Sequence, residues 1–160
     1  MDTKNINLKI TGRPVLGEDR EPNAEDLLEF TTEGTLCQKG GLTRISYEES
    51  EISGMAGCTT SILVGPNSVK MTRKGGGLGA GGTVMEFVTG KRSNGLYDTP
   101  YGPVPMEIVT NSIVGPKPTE RGTKISIDYS LSLHGLGDGR NCLDIEILGY
   151  KGEENEKEQN

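Results

Sequence analysis

The residues of this chain that could do chemistry sit at alternate positions among apolar ones. Tyr47 and Glu49 follow Ile45 at a spacing of two, Arg73 follows Val69 and Met71, Thr32 follows Phe30, Thr60 precedes Ile62 and Val64, and Tyr129 lies between Ile127 and Leu131. A spacing of two places side chains on one face of a β-strand. Each polar group therefore shares a face with neighbours that must be buried, as in a barrel interior where polar groups converge at one end. Thr32, Tyr47, Glu49, Thr60, Arg73 and Tyr129 are the candidate ligand-binding residues, with Glu49 and Arg73 as charged anchors. A carboxylate or guanidinium buried alone is costly, so the two must pair with each other or meet a ligand. An internal ion pair without a ligand, or a register that leaves one charge outside, meets the same requirement.

Other chemistries find less support. Glu49 and Glu51 share a strand face at about 6 to 7 Å, but paired glycosidase acids normally flank a cleft from separate elements. A hydrolase using Glu49 stays as the enzymatic alternative, and no residue is assigned as catalytic. The string KGGGLGAGGTVMEFVTGK, residues 74–91, contains Gly77-x-Gly79-x-x-Gly82-x-Val84 and ends on Lys91. A dinucleotide fingerprint needs a helix after its glycines to hold the pyrophosphate, whereas Thr83, Val84, Phe87 and Val88 favour a strand. A kinase glycine loop does lie between strands, but the only histidine, His134, stands in HGLGDG, no Asp-Phe-Gly occurs, and the chain is too short for a second lobe. The string reads as a turning connection between strands, or as a lid at a barrel mouth. Cys37, Cys58 and Cys142 are odd in number and lack C-x-x-C spacing, so free thiols are expected, with no metal site and no cofactor.

The elements that must position these residues follow from composition and period. The 160 residues suit one domain. With 32% hydrophobic residues, no Trp, 24 Gly and 8 Pro, apolar side chains must be spent on one face of many short strands. Period-two runs occur in LLEFTTEGTL, TRISYEES, CTTSILV and SVKMTRK, and most clearly over Lys124–Leu133 and Cys142–Ile147, a hairpin across HGLGDG. Further strands are expected at 5–11, 83–89, 93–98 and 104–113. AEDLLEF is the one stretch that could start a helix. Prolines 100, 103 and 105 are expected to stop pairing, with Tyr97 or Tyr101 capping the barrel end. Nine or ten strands of this length leave costly edges unless the sheet closes. The expected fold is all-β, a single antiparallel closed barrel of about 8–10 strands over residues 1–150, followed by a charged tail at 151–160. A net charge of −6 with dispersed acids excludes a nucleic-acid face. Neither a membrane span nor a secretory leader is found, and a cytoplasmic location is expected.

Taken in order, EFTTEGTL (29–36), ISYEESEISGM (45–55), GCTTSI (57–62), YDTPYGPVPMEI (97–108), and ISIDYSLSL leading into NCLDIEI resemble the YwiB-like family of bacterial proteins of unknown function. The resemblance spans roughly residues 4 to 149, and its most specific pieces are SYEESE…GM and YDTPYG. It implies a small cytoplasmic protein with a calycin-type, lipocalin-like barrel and implies no reaction. Residues 74–82 depart from the family, their glycines replacing a more polar segment. Folds of this type host carriers, enzymes and binding modules alike. The first reading is a non-enzymatic barrel with a small-molecule partner inside it; the alternatives are a filled barrel serving protein interaction, and the Glu49 hydrolase.

Overall fold

The computed structural model describes residues 3–14, 28–50, 56–75, 82–99, 102–134 and 137–148. Ten strands account for most of them: β1 (Thr3–Pro14), β2 (Leu28–Lys39), β3 (Leu42–Glu48), β4 (Cys58–Val64), β5 (Ser68–Gly75), β6 (Thr83–Val88), β7 (Arg92–Thr99), β8 (Gly102–Thr119), β9 (Gly122–Leu133) and β10 (Gly137–Leu148). Each forms where alternation supplies a buried face. In β1, Ile6, Leu8 and Ile10 point inward while Asn7 and Lys9 do not, and β4 buries Cys58, Thr60, Ile62 and Val64 in strict alternation.

All ten belong to one antiparallel sheet in the order β6-β5-β4-β3-β2-β1-β10-β9-β8-β7. This is an up-and-down meander in which β1 pairs with both β2 and β10. The ladder breaks only between β6 and β7, consecutive strands joined by a turn whose Gly90 amide donates to the Thr110 carbonyl of β8 at 2.9 Å, while the Thr110 amide donates to the Lys91 carbonyl at 3.2 Å. At that seam a side chain on Gly95 would lie 3.6 Å from the Val84 carbonyl, so the two edges abut. The sheet is a nearly closed barrel, as the cost of edges requires.

The interior is one cluster of buried side chains, with Leu8, Ile45, Ile62, Phe87, Ile127 and Ile145 sealed from solvent. Phe30, Met71 and Met106 belong to it, and Tyr129 packs against its border. Gly34 is needed where the wall is tightest, since a Cβ there would stand 2.5 Å from the Ser46 carbonyl oxygen.

The ten strands fall where period two put them, and Thr83–Val88 is a strand, which leaves no helix after the glycine string. Two expectations need correction. Strand β8 does not end near residue 113: it runs to Thr119, across register shifts between Thr110 and Ser112 and between Val114 and Lys117, because bulges let a strand bend past residues that break its ladder. Pro103 and Pro105 do not stop pairing, for they stand opposite Asp98 and Leu96 in the β7–β8 ladder. The Pro105 carbonyl accepts from the His134 amide, so its ring nitrogen faces β9, whose pairing with β8 begins only at Leu133 and Met106. A missing N–H costs nothing at that edge. Leu28–Phe30 of AEDLLEF is strand. Glu51, Gly76–Gly81, Pro100, Tyr101 and the tail at 151–160 lie outside the described residues. Among the described residues no helix is long and apolar enough to cross a membrane.

Candidate functional site

Register gathers polar side chains into a transverse row. Gly34 of β2 stands opposite Tyr47 of β3, Tyr47 opposite Thr60 of β4, Thr60 opposite Arg73 of β5, and Arg73 opposite Thr83 of β6. All lie on the inner face. Glu49 continues the inward parity of β3 one step beyond Tyr47, and its amide donates to the Cys58 carbonyl at 2.9 Å, so the backbone is held where the ladder ends.

From that position Glu49 reaches back over the row. Thr60 Oγ1 donates to Glu49 Oε2 in a short hydrogen bond, Arg73 Nε donates to the same oxygen at 3.3 Å, and Arg73 Nη2 forms an ion pair with it at 3.3 Å. Arg73 Nε also approaches Thr60 Oγ1 at 3.3 Å. The Glu49 side chain is fully buried and that of Arg73 is 16% exposed. Glu49 Oε1 is buried with no hydrogen-bond partner. The carboxylate is lopsided: two hydrogen bonds and the ion pair converge on Oε2, and Oε1 has none.

Tyr47 is sealed beside it, its ring tilted against Phe30 at 6.1 Å. Burial, followed by the charge of Glu49, pushes the Tyr47 phenol well above its ordinary value, against an opposing pull from Arg73. The phenol stays protonated at any physiological pH. Tyr129 is raised by burial and by Tyr97, again opposed by Arg73, and packs edge-on against Phe87 at 4.9 Å.

Of the six candidates, Tyr47, Glu49, Thr60 and Arg73 come together. Tyr129 faces inward at the border of the core, within the field of Arg73 but outside the hydrogen-bonded group. Thr32 stands one step outward from Gly34, half-buried, and donates to the Glu33 carbonyl at 3.4 Å. Thr83 and Thr110 also point inward, and Thr110 Oγ1 is a second buried atom without a partner. Sequence reasoning missed both, although Thr83 alternates with Met85 and Phe87, the signal that found Thr60.

Concavities occur away from this group. One of about 290 Å³ opens at the far mouth of the barrel, lined by Leu36, Val64, Ile125 and Ile147 with Gln38, Thr43, Pro116 and Thr123. Another of about 260 Å³ lies on the outer wall among Arg44, Lys70 and Lys74. Glu48 faces that outer wall and accepts from Thr59 at 2.9 Å, so it is not a second acid for Glu49. Among the described residues no cluster of three or more His, Cys, Asp or Glu could hold a metal.

The family described as Domain of unknown function (DUF1934) matches residues 15–145. Among solved structures the crystal structure of the ywiB protein from Bacillus subtilis is similar, with a TM-score of 0.67 and 23% identity over 91% of this chain and 92% of that chain. That likeness concerns the fold alone. No curated protein matches the chain.

Proposed function

The chain belongs to the DUF1934 family, and on that premise we propose that it is a non-enzymatic, calycin-like barrel that binds a small molecule where Glu49 and Arg73 meet. The observation that carries the reading is the half-satisfied carboxylate. A buried polar atom without a partner costs about 1–3 kcal/mol, more when charged, and a pair serving stability alone gains nothing from sending all its donors to one oxygen. A ligand donor reaching Glu49 Oε1 would recover that cost, and the partial exposure of Arg73 gives the approach from the barrel end. Thr32 and Tyr129 flank the group and complete the proposed lining. A cytoplasmic setting fits three free cysteines.

Native mass spectrometry of freshly purified protein tests this. The expected result is a species heavier than the chain, whose extra mass is released on unfolding and is missing in the Glu49→Gln, Arg73→Met double variant. A wild-type mass equal to the bare chain in every preparation would overturn it. The interaction-module reading would then take its place, favoured by the way Phe30, Met71 and Met106 fill the interior.

A further inference from the structure

The charge and hydrogen-bond inventory of the site narrows what it takes, and this step rests on the ligand-binding reading above. Glu49 and Arg73 sum to zero, and the Tyr47 phenol beside them is a neutral donor. No uncompensated charge remains inside, so an ion entering there would leave water without a counter-charge. Two groups can meet a ligand, one acceptor and one donor. Glu49 Oε1 accepts and has nothing to accept from. Arg73 spends Nε and Nη2 on Glu49 and Thr60, and its partly exposed guanidinium can be approached by an acceptor from the barrel end. Thr60 already gives its single proton to Glu49 and accepts from Arg73, so it has no donor left to offer.

We propose that the site binds an uncharged, planar amide- or urea-type group, whose N–H donates to Glu49 Oε1 and whose carbonyl accepts from Arg73. Carboxylate and guanidinium are both planar groups whose hydrogen bonds lie near their planes, and an amide edge carries donor and acceptor side by side in one plane. A polyol offers the same atoms without the planarity. An organic anion would compete with Glu49 for Arg73, and an organic cation would set Arg73 against itself.

Four probes decide the class: hydantoin as the neutral amide, erythritol as the polyol, succinate as the anion and methylguanidinium as the cation. Each is titrated into the ¹⁵N-labelled full chain, following the backbone amides of Cys58, Thr60 and Arg73. For fragments of this size, affinities on the order of millimolar are the expected scale. Hydantoin should shift these amides saturably and at least tenfold more tightly than the other three, and Glu49→Gln, which removes one of the carboxylate acceptors, should weaken it at least tenfold. If that variant does not fold, the Glu49→Gln, Arg73→Met pair serves the same purpose. Preference for erythritol, succinate or methylguanidinium would overturn the class while leaving a ligand site in place. Hydantoin binding unchanged in the variants would overturn it by placing the probe elsewhere. Silence from all four would overturn this inference together with the functional reading, whereas co-purification of a charged molecule would overturn this inference alone.

Discussion

The two mouths of the barrel are built from different connections. At one, strands are joined by short turns: Lys39 to Leu42, Val64 to Ser68, Val88 to Arg92 and Thr119 to Gly122. Inside that mouth the wall is aliphatic, with Leu36, Val64, Ile125 and Ile147 around a hollow of about 290 Å³. At the other mouth two connections are also short, Thr99 to Gly102 and Leu133 to Gly137, but three are longer: the chain leaves at Pro14 and returns at Leu28, leaves at Glu48 and returns at Cys58, and leaves at Gly75 and returns at Thr83. The inner wall there carries Tyr47, Glu49, Thr60 and Arg73. Tight turns cannot reach over a mouth, whereas longer connections can carry function above a rigid wall. The lesson is a division of labour: the aliphatic mouth holds the barrel shut, and the polar mouth keeps a costly arrangement that packing alone would discard.

The largest test of that division is to break the pair on one side. Arg73→Met leaves Glu49 buried and unpaired, and should cost about 3–5 kcal/mol in urea unfolding at neutral pH. Adding Glu49→Gln should return all but about 1 kcal/mol, since removing a buried pair altogether is often close to neutral. Equal losses in the single and double variants would mean that Arg73 acts through packing and not through Glu49.

Next in size is Ile125→Ala at the aliphatic mouth. Ile125 is almost fully buried, and deleting such a side chain typically costs about 2–4 kcal/mol through lost burial and an unfilled cavity. Its unfolding midpoint should fall while the amides of Cys58 and Thr60 keep their shifts. Changes at the polar mouth comparable to those at Val64 would show that the two ends are coupled.

Glycines offer a smaller contrast. Gly40 and Gly82 both have positive φ, +56° and +65°, but a Cβ on Gly40 meets nothing within 4 Å while one on Gly82 would stand 2.2 Å from the Arg73 carbonyl oxygen. Gly40→Ala should cost about 1 kcal/mol from backbone strain alone. Gly82→Ala should cost about 1 kcal/mol more and disturb the Arg73 amide, because the wall must move to admit the methyl. Denaturation of the two variants side by side measures the difference.

Much of this architecture was legible in the residues. Alternation located ten strands because each has one wet face and one dry one, and it turned Glu49, Thr60 and Arg73 inward by parity with Ile45, Ile62 and Met71. What parity cannot give is register between strands. Thr32 has the right parity, yet it lies beyond the last β2–β3 partners, Gly34 and Tyr47. Pro103 and Pro105 read as breakers because sequence does not show that β9 ends where their nitrogens point. Asp144 and Glu146 read as outer-face charges, and they are, but they are nearly buried there because Arg13, Lys124 and Arg121 lie over them. Those partners are more than a hundred residues away for Arg13 and twenty or more for the others, beyond any local pattern.

That outer layer supplies the smallest test. Burial of Asp144 would raise its carboxyl, but hydrogen bonds from Ser126 and Arg13 and the charges of Arg13 and Lys124 outweigh it and hold the group below the usual carboxylate value of 3.8. Arg140 hydrogen bonds do the same for Asp128, against burial and with help from Asn111. A carboxylate depressed in the fold stabilises it fully above the unfolded value, and that contribution is lost as pH falls through the depressed folded value. Wild-type stability should therefore hold from neutral pH to about pH 5 and decline below about pH 4. Asp144→Asn should be less stable than wild type by about 1 kcal/mol at neutral pH, a modest figure because Arg13 is 42% exposed. The difference should shrink as acid removes the same charge from the wild type. Arg13 lies one residue from Pro14 and Arg140 three residues from Gly137, both strand ends of the polar mouth, whereas Lys124 reaches Asp144 from the side of the short Thr119–Gly122 turn. Hydrogen exchange at low pH should accordingly rise first in Arg13 and Cys142, while Ile45, Ile62 and Val69 near the short turns stay protected. Uniform loss of protection along all ten strands would dissolve the distinction between the two mouths, because acid would then be unfolding the barrel as one unit.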